Sequence, residues 1–184
     1  WFLITETDRS ITWIAKIIDS ETIPNNHSID TDICIAGAGV AGLTLTRELI
    51  GKDIRVVLLE SGGLGPEKEA QSHLWGQNIG HSYYPLDLSR STGFGGSSHK
   101  WLIMFSADQR GARLHPFDRI DFEERSWVPN SGWPITKAQL EPYYIRAQET
   151  GRAGRYSYHV DDWATADRTP QLPLDPSRVE TTIF

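Results

Sequence analysis

Three glycines, an acid and a second glycine loop are the residues of this chain whose spacing could do chemistry. Gly37-Ala38-Gly39-Val40-Ala41-Gly42 reads G-x-G-x-x-G. The first glycine allows a tight turn. The second lets the backbone approach a pyrophosphate. The third lets the following helix pack close to the preceding strand. Val40 and Ala41 lie in the same turn, where the first amides of a helix carry partial positive charge toward an anion. Glu60 follows Gly42 by 18 residues. An acid at that spacing, closing a second strand, can accept hydrogen bonds from the ribose hydroxyls of an adenosine and repels a 2′-phosphate. Ser61 comes next. The alternative is a glycine turn with no ligand.

The second loop is Arg90-Ser-Thr-Gly93-Phe-Gly95-Gly96-Ser97-Ser98-His99-Lys100-Trp101. Small residues permit close approach to a flat ligand, and hydroxyls and amides can bind phosphate or a flavin edge. A flexible glycine-serine loop with a solvent-facing basic pair is the equal alternative. His73 and His81 lack metal-ligand spacing, so no metal is expected. Asp121, Glu123 and Glu124 lie beside Arg119 and Arg125 and read as a solvated charged face, not as an acid/base pair.

These residues need elements to hold them. Asp32–Ala36 is a short apolar run of the kind a buried parallel strand needs. A helix carrying Leu43, Leu45, Leu49 and Ile50 follows, with Gly51 as its left-handed cap. Ile54–Glu60 reads as the next strand. The lone cysteine, Cys34, sits in the first strand and is expected to be a buried structural thiol. Before this unit, Ile11, Trp13, Ile14, Ile17 and Ile18 recur at helical spacing. They predict a short amphipathic helix. After it, Glu67–Leu74 could hold a short helix, and Tyr83, Tyr84 and Pro85 look like an anchored loop or a strand edge. Phe117, Ile120, Phe122, Trp127, Val128 and Trp133 are expected packing anchors. Thr136 with Gln139 forms a capping-box pattern, with Pro142 in or near the first turn. The expected organisation is an N-terminal helix and linker over 1–30, a cofactor-binding domain over 31–150, and a polar connection over 151–184.

The chain has 184 residues and a formal charge of −6, so no electrostatic draw toward nucleic acid is expected. No apolar run approaches the length of a membrane span. The first residues lack the pattern of a secretory signal, which favours a cytoplasmic location. The sequence lacks an initiator Met, as expected of processing or of a start inside a longer product.

Three stretches, in order, resemble the glucose–methanol–choline family of FAD-dependent oxidoreductases, especially its pyranose-oxidase-like and sugar 3-oxidase or dehydrogenase branch. DICIAGAGVAGL…VVLLESGG is similar to that family's ADP-binding start, RSTGFGGSSHKW to its second FAD loop, and GWPITKAQLEPYY to a segment before a helix. The resemblance implies an α/β fold, a Rossmann-like FAD-binding domain whose parallel sheet is incomplete without further chain. It implies that Gly37, Gly39, Gly42 and Glu60 hold the ADP half of FAD. Arg90, Gly95, Gly96, Ser97 and Ser98 would follow the pyrophosphate and flavin, with His99, Lys100 and Trp101 near the isoalloxazine. Lys100 stands where some members have a histidine bonded to flavin, so FAD is expected to be non-covalent. The implied reaction is oxidation of a sugar or alcohol CH–OH group by hydride transfer to flavin. The family's C-terminal histidine pair has no match here. The chain alone is therefore expected to be inactive, with its substrate domain on a second chain or a continuation. A non-catalytic FAD- or nucleotide-binding module and an NAD-dependent dehydrogenase domain are the alternatives.

Overall fold

A computed structural model of the chain describes residues 2–6, 15–65, 67–104, 106–107, 110–112, 114–164 and 170–182. It divides into two compact units, Trp1–Ala112 and Arg113–Phe184.

The first unit is α/β. Strands β1 (Phe2–Glu6), β2 (Ala15–Asp19), β3 (Ile33–Ala36) and β4 (Val56–Glu60) form one sheet in the order β2-β1-β4-β3. β3 and β4 run parallel, with Ile33 opposite Val56 and Ala36 opposite Leu59. Helix α1 (Val40–Leu49) makes the crossover between them. The start of the parallel pair is clamped by Asp32, whose carboxylate accepts the Arg55 amide at 2.8 Å and the guanidinium at 3.0 Å. Ile35, Ala38, Val56 and Leu58 form the core, and Ile33, Leu43, Leu49, Ile54 and Phe94 pack against it. Gly51, with φ +79, ends α1 in the left-handed region where a Cβ is disfavoured. Leu43 and Leu49 meet the core, but Leu45 and Ile50 are exposed, so the apolar stripe of α1 is narrower than expected.

Three expectations need correction here. Ile17 and Ile18 lie in β2, which pairs antiparallel with β1, not in a helix; Ile11, Trp13 and Ile14 fall outside the described residues. β-branched isoleucines favour a strand, and pairing with the neighbouring β1 overrides the helical spacing. Cys34 is exposed, not buried. It alternates with Ile35, and only the Ile35 face of the terminal strand β3 is packed beneath α1. Tyr83 and Tyr84 are exposed, so neither anchors its loop; the Asn78 amide instead donates to their carbonyls at 3.0 and 3.1 Å. Short helices α2 (Lys68–Ser72) and α3 (Leu86–Ser89) flank that loop, and β5 (Leu102–Met104) pairs antiparallel with β6 (Arg110–Ala112).

The second unit carries α4 (Arg119–Phe122) and α5 (Lys137–Thr150). The capping box at Thr136 and Gln139 is present on α5. Pro142 lies inside α5, just past its first turn. Phe117, Phe122 and Trp133 meet ring to ring with centroids 5.6 to 6.3 Å apart, while Ile120 and Trp127 are exposed. The buried residue of α5 is polar. The Gln148 side-chain amide donates to the carbonyls of Ala153 and Arg155 at 3.1 and 3.3 Å and accepts the Tyr158 hydroxyl at 3.0 Å. The segment after Gly151, expected to be a bare connection, is thereby tied to α5. No helix among the described residues is long and apolar enough to cross a membrane.

Candidate functional site

The two glycine stretches, more than fifty residues apart in sequence, meet in the first unit. Gly39 and Gly95 form an isolated parallel bridge, and the Gly95 amide donates to the Ala38 carbonyl at 2.8 Å. The contact is backbone on backbone: a Cβ on Gly96 would meet the Gly39 Cα at 2.9 Å, and one on Gly62 would meet the Gly93 nitrogen at 2.6 Å. Larger residues would push the loops apart.

Glu60 sits at the junction, 8% exposed. Its Oε2 accepts the Ala38 amide at 2.7 Å. Its Oε1 accepts the amides of Gly62 and Gly93, both at 2.9 Å, and the Ser61 hydroxyl at 3.4 Å. A buried carboxylate is costly unless donors converge on it, and here three main-chain segments supply them. Beside it, Ile17, Leu64 and Phe94 close in, leaving a cavity of about 10 Å³. That is room for about one water.

The three motif glycines have different reasons for being glycine. Gly37 has φ +98, a conformation L side chains rarely adopt. A Cβ on Gly42 would stand 2.0 Å from the Gly37 carbonyl oxygen. Gly39 has neither constraint: its φ is −71, and a Cβ there would meet nothing within 4 Å. Gly39 is also the N-cap of α1 and offers no side-chain cap. The amides of Val40, Ala41 and Gly42 follow it, with no carbonyl upstream in the helix to bond them. The turn can thus receive an anion.

The second loop is ordered by its own side chains. Ser97 Oγ accepts the Ser91 amide at 3.2 Å, and the Ser98 hydroxyl donates to the Gly95 carbonyl at 2.8 Å. His99 Nε2–H donates to the Phe94 carbonyl at 2.7 Å, which leaves Nδ1 as the acceptor of the neutral ring. His99 and Lys100 line an open groove of about 980 Å³ together with Trp75, Leu88, Ser91 and Thr92. Thr92 Oγ1 is itself buried, away from the open space, and has no hydrogen-bond partner. Arg90 and Trp101 are exposed.

The structure therefore gathers Gly37, Gly39, Gly42, Glu60, Ser61, Gly95 and Gly96 at one junction, and sets His99 and Lys100 on the groove. Sequence reading missed Ala38, Gly62 and Gly93 as donors to Glu60, although each sits inside or beside a glycine motif. It also missed Gln71, whose side chain donates to the Arg90 carbonyl at 2.8 Å and accepts the Thr92 amide at 3.3 Å. No local signal distinguishes that glutamine. No protein-family model matches the sequence, and neither a curated protein nor a solved structure matches it.

Proposed function

We propose that this chain is the cofactor-binding portion of an FAD-dependent oxidoreductase that oxidises CH–OH groups of sugars or alcohols, on a Rossmann-like fold. The observation that carries the reading is Gly39. Backbone conformation accounts for Gly37 and packing accounts for Gly42, but neither accounts for Gly39. A ligand approaching the open end of α1 does. The residues present fit a dinucleotide. Val40, Ala41 and Gly42 offer amides to a pyrophosphate. Glu60 ties the Ala38 turn to the Gly93 loop, which fixes the glycine turn where a pyrophosphate would lie. The groove lined by Trp75, Leu88, His99 and Lys100, about 980 Å³, has room for a flat ring.

FAD, when bound, supplies the hydride acceptor. The chain's own residues bind and orient: amides and the helix end hold negative charge, and the loop from Gly93 to Lys100 closes over the turn. FAD is favoured over NAD by the resemblance of RSTGFGGSSHKW to a flavin loop. The substrate domain belongs to further polypeptide in this reading.

Titrating the purified chain with FAD and with NAD, followed by absorbance and flavin fluorescence, tests it. The expected result is saturable FAD binding, released intact on acid denaturation, with no competition from NAD. Bleaching of the bound flavin by a sugar or alcohol, in the presence of the substrate portion, supports the oxidoreductase assignment. Absence of FAD binding overturns the reading, and NAD binding in its place assigns a nicotinamide domain.

A further inference from the structure

We infer that Glu60 is a positioning residue: its carboxylate joins the two glycine loops into one cradle, and it acts on a bound nucleotide through that cradle and not by gripping ribose. The inference rests on the nucleotide reading above for its ligand, and on geometry for the role. The carboxylate reaches amides 22 and 33 residues away in sequence, Ala38 and Gly93, and draws in Gly62 of its own turn. Ala38 is thereby held at both ends, its N–H by Glu60 and its carbonyl by the Gly95 amide. Gly39, the next residue, is where the loops touch and where α1 begins. Removing the carboxylate frees Ala38 from one side and Gly93 from the other, so the amides of Val40 to Gly42 lose their fixed aim.

Ribose has little room at Glu60. The residue is 8% exposed, and the neighbouring cavity of about 10 Å³ is walled by Ile17, Leu64 and Phe94. The chemistry also explains why the residue is an acid. Three N–H groups converge on it, and a carboxylate has acceptors only. A glutamine would turn its NH₂ either toward Ala38 or toward Gly62 and Gly93, donor against donor.

Calorimetric titration of the wild type, Glu60→Gln and Glu60→Asp with ADP, 2′-deoxy-ADP and inorganic pyrophosphate tests the assignment. The temperature is set where circular dichroism shows each protein folded, so lowered stability alone does not move the affinities. Glu60→Gln is expected to weaken all three ligands by the same factor, about tenfold. Pyrophosphate has no ribose, so its loss marks the cradle. If Glu60→Gln spares pyrophosphate, or abolishes the difference between ADP and 2′-deoxy-ADP, the residue holds ribose and the inference fails. If the wild type binds none of the three, the nucleotide reading fails instead. Amide hydrogen exchange of the ligand-free wild type then judges the joint by itself. Ala38, Gly62 and Gly93 are expected to be protected and to exchange at one common rate, and free exchange at any of them overturns it.

Discussion

Glu60 in the first unit and Gln148 in the second are each 8% exposed and each hydrogen-bonded to main chain, yet they do different work. Glu60 accepts from amides, two of them 22 and 33 residues away. Gln148 both donates and accepts, and its partners Ala153, Arg155 and Tyr158 lie within 10 residues. A carboxylate suits a place where N–H groups of several segments converge; a carboxamide suits a single loop that presents both carbonyls and a hydroxyl. The long-range joint leaves an open helix end beside it. The local joint only folds a tail back onto its helix. Burial of a polar side chain thus marks a joint in either case, and the reach of the joint separates the candidate ligand site from plain loop anchoring.

Four changes break or sharpen that contrast. Gly42→Ala should have the largest effect, because its Cβ must displace the Gly37 carbonyl, 2.0 Å away. A loss of about 3 kcal/mol in the first unit is expected in urea unfolding. A loss under about 0.5 kcal/mol would mean the turn is not packed as described. Gln148→Ala leaves the Ala153 and Arg155 carbonyls and the Tyr158 hydroxyl without their partner. It should cost about 2 kcal/mol. Hydrogen exchange should show the loss in residues 148–158 and unchanged protection at Ala38 and Gly93.

Gly39→Ala separates folding from binding. Its Cβ would stand in open space at φ −71, so stability should change by less than about 0.5 kcal/mol. FAD affinity should fall at least about tenfold if a ligand needs that space. Unchanged affinity would remove the observation on which the proposed function rests. The smallest effect belongs to Asp162. The Ser157 hydroxyl, and then the Arg155 guanidinium 3.1 Å away, hold its carboxyl below the usual value of 3.8. A lowered folded value means its contribution is full above the unfolded value and is lost as pH falls through the folded one. The second unit should therefore lose melting temperature on acidification below about pH 4. Asp162→Asn should flatten that slope; an unaltered slope would assign the acid sensitivity elsewhere.

Much of the first unit was legible because its signals are local. Glycine spacing, an apolar run of Ile33, Cys34 and Ile35, and an acid after Val56–Leu59 state a strand, a turn, a helix and a strand without reference to anything distant. The Thr136 and Gln139 cap of α5 was readable for the same reason, since its partners lie three residues apart. Illegible features all depended on contacts across the chain. Ile17 and Ile18 carry a helical spacing but take the register of β1. Tyr83 and Tyr84 look like anchors but find no core.

From residue order alone came the two glycine loops, the acid, and the local geometry each could adopt, because turns and caps are settled by the φ a residue tolerates and by neighbours within a few positions. Tertiary structure decided that the loops meet at Gly39 and Gly95, that Glu60 spends its oxygens on main-chain amides, and that Cys34 faces outward. Those outcomes follow from which faces are covered and which donors converge, and no window along the chain contains both halves of such a contact.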